Sequence, residues 1–252
     1  MIVMDNSRAN ERQAAIGVTL AVAIIGGWLA GHVAAVWFLD AWEQPLLAVI
    51  LFAWQTWLSV GLFIVAHDAM HGSLAPGMDR VNRGLGSLAL RLYIGFSYDR
   101  LYPKHHAHHD HVGSADDPDF DPDHPSSPTR WYLTFMRRYL DRYVLGMTTA
   151  LFFGYAAVLW MVGGPDRAAH IFFWVGPSFV ASIQLFYFGT YRPHCHVEGE
   201  RFVDEHNSRS NDFGWLASLF SCFHFGYHRE HHVSPGTPWW RLPAKRRELK
   251  TS

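Results

Sequence analysis

The sequence predicts an all-α integral membrane protein: four transmembrane helices and a cytosolic helical cap that holds a histidine-rich dimetal site. Three observations carry that prediction. Four stretches contain no Asp, Glu, Lys or Arg. The 21 Lys and Arg residues fall almost wholly on one side of those stretches. Fifteen of the 17 histidines fall on that same side.

The charge-free stretches are Ala14–Leu39, Pro45–Ala66, Leu145–Pro165 and Ala168–Tyr191, of 26, 22, 21 and 24 residues. A helix rises about 1.5 Å per residue and the hydrocarbon core is about 30 Å thick, so each is long enough to cross. Four such runs exceed what the core of one soluble chain of 252 residues holds. The first is longer than the apolar region of a secretory signal and has no small-residue cleavage site before Trp37-Phe38, so it is expected to be retained. Four crossings put both termini on one side. The loops on the other side are Asp40–Gln44 and Asp166–Arg167, and of the 21 Lys and Arg only Arg167 lies there. The positive-inside rule makes the richer side cytoplasmic. The cap is then 67–144 plus 192–252, within a single membrane domain over 1–252.

Two further helices are expected in the cap. Asn82–Gly95 carries Leu85, Leu88, Leu92 and Ile94 with Arg83 and Arg91. Pro128–Val144 interleaves Trp131, Tyr132, Phe135, Tyr139 and Tyr143 with Arg130, Arg137, Arg138 and Arg142. That pattern suits a helix lying in the interface or packed as a cap. Ser114–Pro128, rich in Asp, Pro and Ser, reads as a loop. A net charge of −1 argues against a nucleic-acid binder. With 17% charged and 15% aromatic residues the chain is not disordered. Cys195 and Cys222 have no CxxC spacing, which leaves neither a disulfide framework nor a cysteine zinc site.

Three histidine groups have metal-ligand spacing. His67 and His71 stand at i and i+4. His105, His108 and His109 stand at i, i+3 and i+4, and His228, His231 and His232 repeat that pattern, with His224 one turn upstream. Such positions share a helix face, so their imidazoles can converge. These eight imidazoles exceed the six positions of one octahedral ion, so two metals are expected. His67 is followed by Asp68 and His228 by Arg229, so the HExxH pattern is absent. The Glu-x-x-His pairs of soluble di-iron bundles are absent too. An all-histidine dimetal site at a membrane edge points to iron and dioxygen. A metal transporter would carry histidines and carboxylates along its spans, where only His32 and His170 lie. A metal-storing protein would not need the i, i+3, i+4 order. His106, His111, His124 and His206 read as ordinary loop histidines.

The set HxxxH, HxxHH and HxxHH in a four-span chain resembles the membrane fatty-acid desaturase and hydroxylase superfamily. Three further elements are similar to its bacterial β-carotene ketolase branch: Tyr187-Phe188-Gly189-Thr190-Tyr191-Arg192-Pro193-His194, the run Cys222–His232, and Pro238-Trp239-Trp240-Arg241-Leu242-Pro243. The likeness covers nearly the whole chain. A carotenoid 3-hydroxylase would open with HxxxxH, which is missing here. The resemblance implies iron ligands at His67, His71, His105, His108, His109, His228, His231 and His232, and a ninth at His194 in preference to His196. It leaves His224 as a further ligand or the partner of one. Carboxylates commonly accept the free N–H of a ligating imidazole. Asp68 and Asp117 are expected to do so, whereas Glu230 stands evenly between that role and a solvated one.

The implied function is O2-dependent oxidation of carbon 4, and of 4′, of β-ionone rings. Two ferrous ions reduce and split O2, and two successive hydroxylations of the allylic carbon give a geminal diol that loses water to a ketone. β-Carotene would pass to echinenone and canthaxanthin, and zeaxanthin to astaxanthin. The alternative is a fatty-acyl desaturase or hydroxylase using the same di-iron site. The substrate is expected from the bilayer. With no GxGxxG and no iron–sulfur cysteine run, electrons must come from a separate donor, a ferredoxin with its reductase. Zinc suits the same ligands and can substitute in a purified sample. Arg137, Arg138, Lys245, Arg246 and Arg247 fit positive-inside anchoring better than docking of that donor. The implied location is the bacterial inner membrane, multi-pass, with both termini and the metals cytoplasmic.

Overall fold

The computed structural model describes residues 2–197, 199 and 201–251, and every regular element among them is helical. Four helical stretches are long and apolar enough to cross a membrane: Ser7–Phe38, Pro45–Met70, Arg142–Ala169 and Phe172–His194. They contain the four charge-free runs almost whole and extend them toward the histidine-rich end.

The first crossing is α1 (Ile2–Val33), which continues through a π turn at Ala34–Phe38. The second, α2 (Pro45–Met70), starts on a proline, whose missing N–H costs nothing in the first turn. It is the hub of the molecule and packs chiefly on α1, on α3 (Asp79–Ile94) and on α7 (Phe172–Phe186). Half of its apolar window, 50%, is buried inside the protein. For α6 (Arg142–Ala169) the figure is 11%, so that helix presents Leu151, Phe153 and Met161 outward, an exposed apolar face of the kind that lipid covers. Polar contacts tie it in: His32 Nε2 lies 2.9 Å from the Tyr155 hydroxyl, the Thr148 hydroxyl donates to the Ile94 carbonyl at 3.0 Å, and the Arg167 guanidinium donates to the Val36 carbonyl.

Between the second and third crossings run α3, α4 (Tyr98–Asp110) and α5 (Pro128–Tyr139). α3 stops at Gly95, whose φ of 81° lets the N–H groups of Gly95 and Phe96 return to Arg91 and Leu90. α4, which carries the second histidine group, follows within four residues. The last of the four apolar stretches ends in α8 (Arg192–His194), and after it come α9 (Trp215–Cys222), α10 (His228–Val233) and α11 (Leu242–Thr251).

Three expectations are corrected. Pro128–Val144 is not one helix: α5 ends at Tyr139, and Asp141 begins α6 by accepting the N–H groups of Tyr143 and Val144. A side chain that caps so well starts a new helix rather than prolonging the old one. Asp166–Arg167 is not a loop: the third long helix kinks at Gly163-Gly164, where Gly164 reaches φ 72°, continues in helical form to Ala169, and breaks before Phe172 at His170-Ile171. His170, expected inside a span, instead lies at the break between α6 and α7, with Nδ1 2.8 Å from the Asp166 carbonyl and Nε2 3.2 Å from that of Leu39.

Candidate metal centre

Nine histidines from the cap and the adjoining helix ends form two groups. His67, His71, His105, His109 and His231 make the first, His108, His194, His228 and His232 the second, and within each group the nitrogens lie within 4.8 Å of one another. The partition cuts across the sequence boxes. From α4, His105 and His109 join the first group while His108 joins the second; from α10, His228 and His232 join the second while His231 joins the first. Helix geometry explains this. Residues at i and i+4 project about 40° apart, whereas i+3 lies about 60° away on the other side of i. Each HxxHH therefore gives a pair to one group and a single imidazole to the other.

His67 and His71 come from the last turn of α2 and its cap, where the His71 N–H returns to the His67 carbonyl. His194 is delivered by the π turn Tyr187–Tyr191 that extends α7 into α8. π turns inside helices shift the facing register and often mark functional positions. Gly189, in that turn, must lack a side chain: a Cβ there would sit 2.7 Å from the Phe225 ring.

The nitrogens face one another rather than ordinary donors. His105 Nε2 is 2.6 Å from His71 Nε2, and His231 Nε2 is 3.0 Å from His109 Nε2 and 3.2 Å from His67 Nε2. In the second group His228 and His232 approach at 3.0 Å. Protons cannot satisfy so many converging lone pairs, but a cation can. His194 sharpens the point. Its Nδ1–H donates to the Asn207 carbonyl at 2.8 Å, and its buried Nε2 has no partner at all. Electrostatics keep the imidazoles in the neutral form that binds metal. Burial, reinforced by neighbouring His106 and His108, pushes His71 down to about 3. Burial, with His71 and His108, takes His109 to about 2. Burial and the surrounding histidines hold His105, His228, His231 and His232 well below their ordinary value.

His108 is the exception. Burial disfavours its charge, but Asp119 and Asp117 outweigh burial and raise its pKa. Its Nδ1–H donates to Asp117 Oδ1 at 2.9 Å, which fixes the tautomer and leaves Nε2 for the group. Asp117 also accepts the N–H groups of Gly113 and Asp119. The other expected carboxylate, Asp68, lies 3.4 Å from His67 Nδ1 and accepts the Trp239 N–H at 2.9 Å.

Other expectations find different places. His224 is in neither group: Phe223 and His224 adopt φ of 49° and 62°, which ends the helix and turns the imidazole to the Ser218 hydroxyl at 3.1 Å. His196 packs on Phe120 and Phe202, outside both groups. Glu230 is buried and orients no imidazole; it binds Arg246 at 3.2 Å and the Ser210 hydroxyl, fastening α11 to the cap. Arg138 also turns inward, to the carbonyls of Pro118 and Phe120. His106 is on α4 rather than in a loop, edge-on to Tyr102. His111 closes that helix, His124 pairs with Asp121 at 3.3 Å, and His206 is half-buried in the 201–214 segment.

Sequence reasoning did not locate the chamber beside these histidines. A cavity of about 230 Å³ has His67, His105, His108 and His228 in its wall, so it meets both groups. Phe63, Phe96, Phe135, Phe186 and Phe225 supply much of the rest. Asp119 and Tyr139 also line it, joined by a hydrogen bond from the Tyr139 hydroxyl to Asp119 Oδ1. Spacing did not single out Asp119, and marked Tyr139 only as one of the aromatics of the Pro128–Val144 helix.

The fatty acid desaturase family model matches residues 40–161 and 140–252. The β-carotene ketolases of two Paracoccus strains are similar to this chain: one is 49% identical over 91% of each protein, the other 46% identical over 92% of this chain and 93% of its own length. A zeaxanthin 4-ketolase of Chlamydomonas reinhardtii is 34% identical over 91% of this chain and 53% of its own.

Proposed function

This chain belongs to the fatty acid desaturase family and groups within it with the β-carotene ketolases, and from that premise we propose that it is a carotenoid ketolase. It oxidises carbon 4, and carbon 4′, of β-ionone rings from CH2 to C=O, taking β-carotene to echinenone and canthaxanthin and zeaxanthin to astaxanthin. The observation that carries this is the apolar cavity ending on both histidine groups. Such a chamber suits a hydrocarbon ring.

His67, His71, His105, His109 and His231 are assigned to one iron(II) and His108, His194, His228 and His232 to the other. When bound, the irons supply the activation of O2 and the oxidant for the allylic C–H bond. The protein does the rest. Asp117 and the Asn207 carbonyl hold protons on the Nδ1 atoms of His108 and His194, so that the Nε2 lone pairs face inward. The phenylalanine wall presents the ring carbon and excludes water. Two hydroxylations, each using one O2, two electrons and two protons and releasing one water, give a geminal diol; loss of a further water leaves the ketone.

The electrons come from a separate donor, a ferredoxin with its reductase. The chain lies in the bacterial inner membrane as one domain, with the histidine-bearing cap and both termini in the cytoplasm. Its 21 Lys and Arg, save Arg167, lie on that side. Zinc can take the place of iron in a purified sample.

The test is a pigment analysis of a bacterium that makes β-carotene and expresses this chain. The expected result is conversion of ring CH2 to C=O on one or both rings, abolished by His108→Ala. Unchanged β-carotene, with iron-loaded protein present in the membrane, contradicts the proposal; new double bonds or hydroxyls on the acyl chains of the same extract would then support the desaturase alternative.

A further inference from the structure

The cavity wall is apolar over most of its surface, yet it holds a carboxylate. Asp117 commits both oxygens, to His108, Gly113 and the backbone N–H of Asp119. Asp119 itself lines the cavity. Its Oδ1 accepts the Tyr139 hydroxyl, while its Oδ2 stands 3.9 Å from His108 Nδ1, too far for a hydrogen bond. The side chain keeps 13% exposure although it lies deep beside the histidines. The loop cannot easily swing it away. The Trp131 indole donates to the Asp119 carbonyl at 2.6 Å, and the Arg138 guanidinium holds the carbonyls on either side.

An acceptor oxygen facing an apolar chamber is unfavourable unless something donates to it. A hydrocarbon ring cannot donate; a ring hydroxyl can. The other polar groups of the wall are less suited. Ser182 already pairs with Tyr132 and the Phe179 carbonyl, and Thr190 offers a hydroxyl without charge. The carbon that is oxidised must face the histidines, so a hydroxyl on the adjoining carbon lies at the histidine end of the cavity, where Asp119 sits.

We propose that Asp119, positioned by Tyr139, accepts a hydrogen bond from a hydroxyl at carbon 3 of the ring and makes this chain selective for 3-hydroxylated over unhydroxylated β-ionone rings. This rests on the carotenoid reading above. It assigns Asp119 to substrate recognition and Tyr139 to holding it.

The test is competition. Membranes containing the full chain receive equal amounts of zeaxanthin and β-carotene, and the ratio of ketone products is read. The wild type favours the hydroxylated ring. Asp119→Asn lowers that preference about tenfold or more, as expected for loss of a charge-assisted hydrogen bond. Tyr139→Phe shifts it the same way by less. A second measurement needs no folded variant: the wild type converts the 3-methyl ether of zeaxanthin at least about tenfold less well than zeaxanthin itself, because the donor is gone. If Asp119→Asn lowers both activities and leaves their ratio unchanged, Asp119 merely supports His108 and the proposal is overturned. Equal conversion of ether and alcohol by the wild type overturns it as well. Absence of ketone from any ring, by contrast, brings down the carotenoid reading itself.

Discussion

The two histidine groups share two helices, α4 and α10, yet they are built to different standards. The first has five donors, three of them partly exposed: His71, His105 and His109. The second has four, all buried. Support differs as well. In the second group His108 is clamped by Asp117 at 2.9 Å and His194 by the Asn207 carbonyl at 2.8 Å. In the first the nearest carboxylate, Asp68, lies 3.4 Å from His67. One group thus has donors to spare and reaches toward solvent; the other has none to spare, and hydrogen bonds to Asp117 and the Asn207 carbonyl orient two of its four imidazoles. A site with a spare ligand tolerates damage, and a site without one depends on the hydrogen bonds that orient what it has.

The largest effect should separate the groups outright. His228→Ala reduces four donors to three and should remove one metal and all detectable activity. His109→Ala leaves four donors in the first group and should retain a measurable share of both; metal analysis beside turnover decides it, and equal loss in the two variants would erase the distinction. Asp117→Asn comes next. It removes the acceptor that sets the His108 tautomer and should lower metal affinity or activity by about 10–100-fold. Asp68→Asn should do less, given its longer contact.

Acidity probes the metal-free protein. His71 and His109 fall to about 3 and about 2 when folded, against an ordinary 6.5. As pH drops below 6.5 the unfolded chain takes up protons first, so the stability these groups provide is complete above 6.5 and is lost as pH falls toward those folded values. His108 runs the other way: its raised pKa contributes stability that is full below 6.5 and is lost as pH rises through it. The depressed histidines outnumber it, so the thermal midpoint of the metal-free chain should decline between pH 7 and pH 5, and a midpoint that rises there would reverse the assignment. The smallest effect on metal belongs to His224→Ala. Loss of its bond to Ser218 should cost about 1–3 kcal/mol of stability while metal content stays at the wild-type level.

Much of this was legible in the residues. The crossings stand out because charge is excluded from them, and α2 carries His67 and His71 because an apolar run continues straight into HxxxH. Helical spacing brought out eight of the nine grouped histidines, and His194 was chosen over His196 by its resemblance and its place at the membrane edge. The division into five and four was not legible, because a face read from one helix does not say which imidazoles of another meet it. The position of His224 was hidden for a different reason: two consecutive non-glycine residues, Phe223 and His224, take positive φ, which no local pattern announces. Asp119 was missed because an Asp-Pro-rich loop looks solvated, and only the inward packing of Trp131 and Arg138 buries it. The end of α5 was recoverable, since Asp141 is a good N-cap.

The most direct measurement is metal stoichiometry. Full-length protein, purified in a membrane mimic and loaded with iron(II) without oxygen, should hold two metals per chain, counting any zinc that replaces iron, and His228→Ala should hold one. A wild-type chain that binds a single metal, or none, would contradict the division of these nine histidines into two sites.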